Sequence, residues 1–167
     1  MISLKLCVTI MRGSDVANCI HPDQLLDRLG LDRRRCFIVT GRPGEGKTRL
    51  AVQLADRYGG QRVDLLTTFA ADADLSANVD TFTPRKCRDF LRPYATGDLV
   101  LVDEMEFLWH SWDVGEKREF LTIVSLWSKP AFFGVFLPSD PIIEQFDMVD
   151  QDGQPRIFSL RDLQAIK

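Results

Sequence analysis

Short uninterrupted apolar runs alternate along this chain with segments whose apolar residues recur every three or four positions. The recurring pattern predicts helices over residues 22–29, 47–58, 84–93 and 116–127. The runs predict strands over residues 36–40, 63–67, 98–103 and 131–137, buried on both faces because polar residues do not alternate within them. Strands that alternate with helices predict an α/β fold, a parallel sheet with helices on both faces.

The N-terminal part of the chain predicts a small addition to this core. Residues 2–10 alternate loosely, as a strand does, and the helix at 22–29 turns Leu25, Leu26 and Leu29 inward before Gly30. We therefore divide the chain into a strand and helix leader over residues 1–34, packed on the core, and one domain over residues 35–167. A length of 167 residues is enough for one such domain.

Composition is that of an ordinary globular chain, with 45% apolar residues and a net charge of −3. This balance excludes a strongly basic nucleic-acid-binding protein, so any contact with nucleic acid must come from a local patch. No stretch approaches the roughly 20 apolar residues of a membrane-spanning helix, and we expect a cytoplasmic protein without a membrane span. The four cysteines form no C-x-x-C pair and predict reduced thiols (Cys7, Cys19, Cys36, Cys87).

Residues 41–48 match G-x-x-x-x-G-K-[ST] at every fixed position, between a predicted strand and a predicted helix. This order of strand, loop and helix predicts a phosphate-binding loop, whose backbone N–H groups receive anionic oxygens at the helix N-terminus. Lys47 is expected to reach the β- and γ-phosphates of ATP or another nucleoside triphosphate, and Thr48 to ligate Mg²⁺. The predicted nucleotide-binding residues are Gly41, Arg42, Pro43, Gly44, Glu45, Gly46, Lys47 and Thr48.

The strand at 98–103 ends on Asp103 and Glu104, an acidic pair typical of a Walker B motif. Asp103 is expected to hold Mg²⁺ through water, and Glu104 to orient and deprotonate the attacking water. The elements between the loop helix and this strand, together with Glu104, favour a sheet in which another strand separates the loop strand from the acidic strand. Proteins of that class hydrolyse ATP, whereas simple nucleotide kinases often place the two strands side by side.

The order of motifs over residues 35–161 resembles the first RecA-like domain of superfamily 1 helicases of positive-strand RNA viruses, including the triple-gene-block movement proteins. Residues 41–48 and 102–105 are similar to the family's two specific motifs, and residues 65–68 and 80–83 to weaker ones. The resemblance implies a P-loop NTPase of RecA-like fold that hydrolyses ATP and acts on RNA or single-stranded nucleic acid.

The resemblance also implies roles for residues outside the loop and the acidic pair. Asp140 and Gln145 correspond to the segment that senses the γ-phosphate, and Arg161 to an arginine that assists catalysis. Arg85, Arg88 and Arg92 recur on one helix face, for which the alternative is an ordinary solvated face. The predicted nucleic-acid contacts are Thr67, Thr81, Phe82, Arg85, Arg88 and Arg92. For the aromatic residues at 107, 109 and 112 we expect burial in the core, and for His110 a structural role.

A chain of 167 residues has no room for the family's second RecA-like domain. The site would then be completed by that domain in trans or by a second copy of the chain. Two alternatives stay open: a viral or phage assembly or packaging ATPase that works as an oligomer, and a nucleoside kinase of the thymidine-kinase type, which residues 103–107 faintly resemble. The polymer or nucleoside that raises ATP turnover discriminates among them.

Overall fold

A computed structural model of the chain describes residues 20–128 and 132–163. The described strands are β1 (Cys36–Gly41), β2 (Gln61–Asp64), β3 (Leu99–Asp103), β4 (Phe132–Pro138) and β5 (Ile157–Ser159). The described α-helices are α1 (Pro22–Gly30), α2 (Lys47–Tyr58), α3 (Leu65–Ala71), α4 (Ala73–Ala77), α5 (Pro84–Leu91), α6 (Glu106–Ser111), α7 (Val114–Ser125) and α8 (Pro141–Glu144). Short 3-10 turns cover Val79–Thr81, Arg92–Tyr94 and Leu160–Asp162.

The five strands form one sheet in the order β2-β3-β4-β1-β5, and every neighbouring pair is parallel. The predicted α/β fold with a RecA-like parallel sheet is thus confirmed. β4 lies between β1 and β3, so a strand does separate the loop strand from the acidic strand. That strand comes later in the chain than β3, whereas β2, which precedes β3, lies at the edge of the sheet.

Apolar side chains cover both faces of the sheet, which explains why its strands lack polar alternation. Neighbouring residues of β1 point to opposite faces: Phe37 packs in the core under α1 and α2, and Ile38 in the core under the other helices. The first core contains Leu25, Leu29, Leu50, Leu54, Leu101 and Phe136. The second contains Phe69, Cys87, Val102, Trp109, Phe120 and Val135.

The predicted strand at 63–67 is wrong in its second half. β2 ends at Asp64, whose Oδ1 accepts a hydrogen bond from the N–H of Thr67 at 2.9 Å and caps α3. The leucines at 65 and 66 suit a strand or a helix equally, and the aspartate cap decides for the helix. Similarly, α7 begins at Val114 instead of residue 116, because Asp113 and Glu116 form a capping box.

The part of residues 1–34 that the structure describes includes α1, which packs against the sheet. α1 buries Leu25, Leu26 and Leu29 against the same core as α2, and Ile20 pairs with Leu163 beyond β5. The predicted strand at 2–10 lies outside the described residues, and the boundary at residue 34 stays a prediction. None of the described helices is long and apolar enough to cross a membrane.

Two of the four cysteines lie in the described residues, and both are free thiols, as predicted. Burial raises the pKa of Cys36 to about 11, an effect that Arg156 opposes, and raises the pKa of Cys87 to about 12. Both side chains are therefore protonated and unreactive at neutral pH.

Candidate functional site

The glycine-rich loop, residues 41–48, connects the end of β1 to the start of α2. Gly44 has a φ of +80° and Gly46 a φ of +104°, a left-handed conformation that glycine adopts without steric cost. Gly46 is the N-cap of α2, and within the described residues this end of the helix has no side-chain capping hydrogen bond. The first N–H groups of this twelve-residue helix are therefore available to an anion.

Contacts within the chain hold this loop in shape. A Cβ atom added to Gly41 would lie 3.2 Å from Lys47 Cγ and 3.3 Å from Leu160 Cβ, so the loop starts in a tight space. Glu45 Oε2 accepts a hydrogen bond from the N–H of Arg42 at 2.7 Å, and Arg161 Nη2 lies 2.8 Å from Glu45 Oε1. The Arg42 N–H, followed by Arg161, lowers the pKa of Glu45. The loop is thus held by contacts within itself and with the turn after β5.

Lys47 is held inside the loop, with 6% of its side chain exposed. Its Nζ donates to the carbonyl of Gly41 at 3.0 Å and to that of Arg42 at 3.4 Å. The same atom lies 3.1 Å from Glu106 Oε1. A phosphate that binds Lys47 would have to replace at least one of these partners, and the carboxylate of Glu106 is the one that competes by charge.

Thr48 and Glu104 are in direct contact: the Thr48 hydroxyl donates to Glu104 Oε1 at 2.6 Å. Among the described residues, Glu104 is the only non-glycine residue with a positive φ, which is 56°. This conformation costs energy for a residue with a side chain, and such residues cluster at functional sites. The predicted Mg²⁺ ligand and the predicted base therefore meet at one point.

Asp103 lies one position before this contact and has other partners. It is 1% exposed, and its Oδ2 accepts from Arg62 Nε at 3.2 Å and from Arg62 Nη2 at 3.0 Å. Arg62 also pairs with Asp64 at 3.1 Å. The structure thus places Glu104 against Thr48, while Asp103 pairs with the half-buried guanidinium of Arg62.

A cavity of about 520 Å³ opens where these elements meet. His110 lies exposed at the edge of this cavity, and the structural role predicted for it stays a prediction. The residues that line this 520 Å³ cavity are Pro43, Gly44, Gly46, Lys47, Thr48, Glu104, Glu106 and His110. Sequence reasoning missed Glu106 and Arg62. The sequence offers only two clues to them, a glutamate two residues after the acidic pair and an arginine within a short strand.

The aromatic residues that follow the acidic pair lie in the core, as predicted. Trp109 and Trp112 are buried, and Phe107 packs edge-on against Phe69 with ring centroids 5.1 Å apart. The indole of Trp109 donates to Asp140 Oδ2 at 2.8 Å. These rings anchor α6 and are not available to stack on a base.

The predicted γ-phosphate sensors do not line the 520 Å³ cavity. Asp140 caps α8 through the N–H of Ile142 and contacts Trp109 and Lys117 Nζ. Burial raises the pKa of Asp140, but these three donors outweigh burial and hold the pKa below its ordinary value. Gln145 is exposed at the end of α8. Arg161 also lies elsewhere, against Glu45.

The predicted nucleic-acid residues do not form one bare surface. Phe82 is 7% exposed and packs on Phe69 with ring centroids 4.9 Å apart, so the prediction that it stacks on a base is wrong for this structure. Arg85 pairs with Glu119 of α7 at 2.7 Å, and Arg88 pairs with Asp89 at 2.8 Å. Thr67, Thr81 and Arg92 are exposed.

The residues around the cavity fit a nucleotide bound with Mg²⁺. The left-handed glycines leave space for phosphate oxygens, since a Cβ atom at Gly44 or Gly46 would meet nothing within 4 Å. Hydroxyl and carboxylate oxygens, as on Thr48 and Glu104, are the ligand types that Mg²⁺ prefers. Within the described ranges no group of three His, Cys, Asp or Glu side chains could hold a metal alone, so Mg²⁺ would also need phosphate oxygens.

Comparison with known proteins gives no relative: no protein-family model matches the chain, and no curated protein matches it. The helicase resemblance therefore rests on the motifs alone. Its implications for activity and partners are proposals.

Proposed function

We propose that this protein binds and hydrolyses a nucleoside triphosphate with Mg²⁺, in the cavity between the glycine-rich loop and the end of β3. The observation that carries the proposal is the contact between Thr48 and Glu104 at 2.6 Å. These residues belong to two motifs far apart in the sequence. The glycine-rich loop predicts phosphate and Mg²⁺ binding, and the acidic pair predicts the base that activates water. Their meeting beside Lys47 supports a phosphate-transfer site.

The residues at the cavity have complementary roles in this proposal. Backbone N–H groups of the loop and the ammonium of Lys47 bind the phosphates. The Thr48 hydroxyl would hold Mg²⁺, which supplies positive charge to the phosphate oxygens. Glu104 orients a water and accepts its proton, while the water oxygen bonds to the γ-phosphorus and the bond to the β-phosphate oxygen breaks. The products are a nucleoside diphosphate and inorganic phosphate.

The resemblance further supports a helicase-like role on RNA or single-stranded nucleic acid. The second candidate is an assembly or packaging ATPase that works as an oligomer. A specific observation favours keeping it: among the described residues, those that line the cavity include no arginine. P-loop proteins that lack such an arginine in their own chain often receive it from a partner.

The test is nucleotide turnover by the full chain with Mg²⁺, in the presence and absence of single-stranded RNA or DNA. We expect Mg²⁺-dependent release of phosphate that Lys47→Ala abolishes, because the variant loses the charge that faces the phosphates. Lys86→Ala is the matched control, since Lys86 is an exposed lysine that does not line the cavity and donates to the carbonyl of Thr81. Unchanged nucleotide binding by Lys47→Ala would contradict the proposal.

A further inference from the structure

A second cavity, of about 430 Å³, lies on the other side of the glycine-rich loop. Gly44 and Gly46 line this cavity and also the one that holds Lys47 and Thr48. The loop is thus the wall between the two spaces. The residues that line the second cavity are Gly44, Glu45, Gly46, Arg49, Leu50, Gln53, Leu160 and Leu163. A molecule whose phosphates lie on the loop can therefore extend its other end into this second cavity.

The second cavity combines apolar walls with unused polar groups. Leu50 is 5% exposed and Leu163 is 8% exposed, and Leu160 is half-buried beside them. Gln53 is half-buried and Arg49 is exposed, and the side chain of neither makes a hydrogen bond or ion pair in the described part of the chain. Apolar surface with a few unpaired polar groups is the chemistry of a site for a planar ring with polar edges.

Two contacts join the glycine-rich loop to the turn after β5, which carries Leu160 of the second cavity. Arg161 follows Leu160 directly and lies 2.8 Å from Glu45 of the loop. Leu160 itself lies close to the start of the loop, 3.3 Å from the position of a Cβ atom at Gly41. The turn after β5 and the loop are therefore joined at two points. Arg161 thus contacts Glu45, a lining residue of the second cavity, and does not line the cavity that holds Thr48 and Glu104.

We propose that the second cavity is the nucleobase subsite and that it takes a purine. This inference rests on the proposed function, because it requires the phosphates to lie on the loop. Leu160 and Leu163 would contact the face of the ring, and the large purine ring gains most from such apolar contact. The Gln53 carboxamide offers a donor beside an acceptor, the pairing that polar edges of adenine and guanine also present.

The experiment compares the affinity of the full chain for four compounds with Mg²⁺: ATP, GTP, UTP and inorganic tripolyphosphate, measured by calorimetry. Tripolyphosphate has the phosphates without the base. We expect ATP or GTP to bind at least about tenfold more tightly than tripolyphosphate. The affinity for UTP should lie between that for the preferred purine nucleotide and that for tripolyphosphate. The better of ATP and GTP identifies the purine.

Two variants locate the effect. Gln53→Ala and Leu160→Ala should each reduce the purine advantage about tenfold and leave tripolyphosphate affinity unchanged, which also shows that the loop is folded. Gln61→Ala is the matched control, since Gln61 is exposed at the start of β2. An unchanged purine advantage in both variants would overturn the subsite, and equal affinity for ATP, GTP and UTP would overturn the purine assignment.

The two proposals fail differently in this experiment. If the wild-type chain binds neither tripolyphosphate nor any nucleotide, the proposed function is wrong. If it binds tripolyphosphate as tightly as ATP and GTP, the phosphate site stands and the base subsite is wrong. Lys47→Ala should weaken all four compounds alike.

Discussion

Glu104 is the residue at which backbone and side-chain requirements conflict most clearly. Its φ of 56° would suit glycine, yet its carboxylate accepts a hydrogen bond from Thr48 at 2.6 Å. A carboxylate held in one direction by a threonine hydroxyl keeps its second oxygen free for a water. The backbone strain is therefore consistent with a residue retained for its chemistry.

Replacing Glu104 with glutamine separates shape from basicity. The amide oxygen still accepts the Thr48 hydrogen bond, so we expect nucleotide affinity to stay within a few-fold. Turnover should fall by about 10²–10⁴-fold, because the amide cannot accept a proton from water. Steady-state phosphate release measures this, with Glu144→Gln as a control at an exposed glutamate. Full activity of Glu104→Gln would assign the base elsewhere.

For Glu106, we expect that removing the charge strengthens nucleotide binding. Its carboxylate lies 3.1 Å from Lys47 Nζ and would repel the phosphates that approach the same ammonium. We expect Glu106→Gln to bind ATP up to about fivefold more tightly, since a partly exposed ion pair is worth only about 1 kcal/mol or less. Titration with a fluorescent ATP analogue measures the change. Weaker binding would instead show that Glu106 positions Lys47 for the nucleotide.

The glycine-rich loop was predictable because all its determinants are contiguous in the sequence. The pairs Arg62–Asp103 and Lys47–Glu106 were not, because each joins two segments whose relative placement depends on the folded sheet. The direct contact of Thr48 with Glu104 has the same origin. It depends on the φ of one residue, which no composition pattern reveals.

At the scale of elements, α6 connects the candidate site to α7 and α8. Its first residue, Glu106, reaches Lys47, and Trp109 donates to Asp140 Oδ2 at 2.8 Å. Lys117 of α7 lies 3.2 Å from the same carboxylate oxygen. Asp140 therefore joins α6, α7 and α8, which gives the aspartate of the expected sensor motif a structural role.

This junction predicts a pH dependence of stability. The pKa of Asp140 is lowered in the folded chain from its ordinary value of 3.8. The ionised carboxylate therefore stabilises the fold above that value, and the contribution is lost as the pH falls through the folded pKa. We expect Asp140→Asn to unfold more easily by about 1–3 kcal/mol at pH 7, with a difference that shrinks below pH 3.8.

Urea denaturation at pH 7, pH 5 and pH 3 measures this difference. Asp56→Asn is the matched control, since Asp56 is exposed and makes no hydrogen bond or ion pair within the described ranges. Its difference from wild type should be small at every pH. A deficit of Asp140→Asn that persists unchanged at pH 3 would contradict the assignment.

The elements themselves were largely predictable, and the exceptions have one physical cause. Strands buried on both faces, such as residues 99–103, are recognisable as apolar runs, and α2 has the predicted bounds Lys47–Tyr58. At residues 65–68 the apolar pattern is too short to distinguish strand from helix, and the cap formed by Asp64 decides. Sequence patterns thus determine the layers better than they determine where a strand becomes a helix.

At the scale of the whole molecule, the cavity offers one lysine and, among its described lining residues, no arginine. An arginine supplied from another molecule is worth roughly 10³–10⁵ in rate in P-loop proteins. We therefore expect turnover per chain to rise with protein concentration. Lys47→Ala, which lacks its own site but keeps its surface, should stimulate dilute wild type, whereas an equal mass of albumin should not. Turnover per chain that is independent of concentration would contradict this.

The strand order has a geometric consequence for the distance across the site. Because β4 separates β1 from β3, the ends of those two strands are two sheet spacings apart, or about 9.5 Å. The side chains of Thr48 and Glu104 span this spacing and meet at 2.6 Å. The spacing is maintained by main-chain hydrogen bonds, so substitutions of surface side chains leave it unchanged. The spacing between the ends of these two strands is thus a property of the backbone.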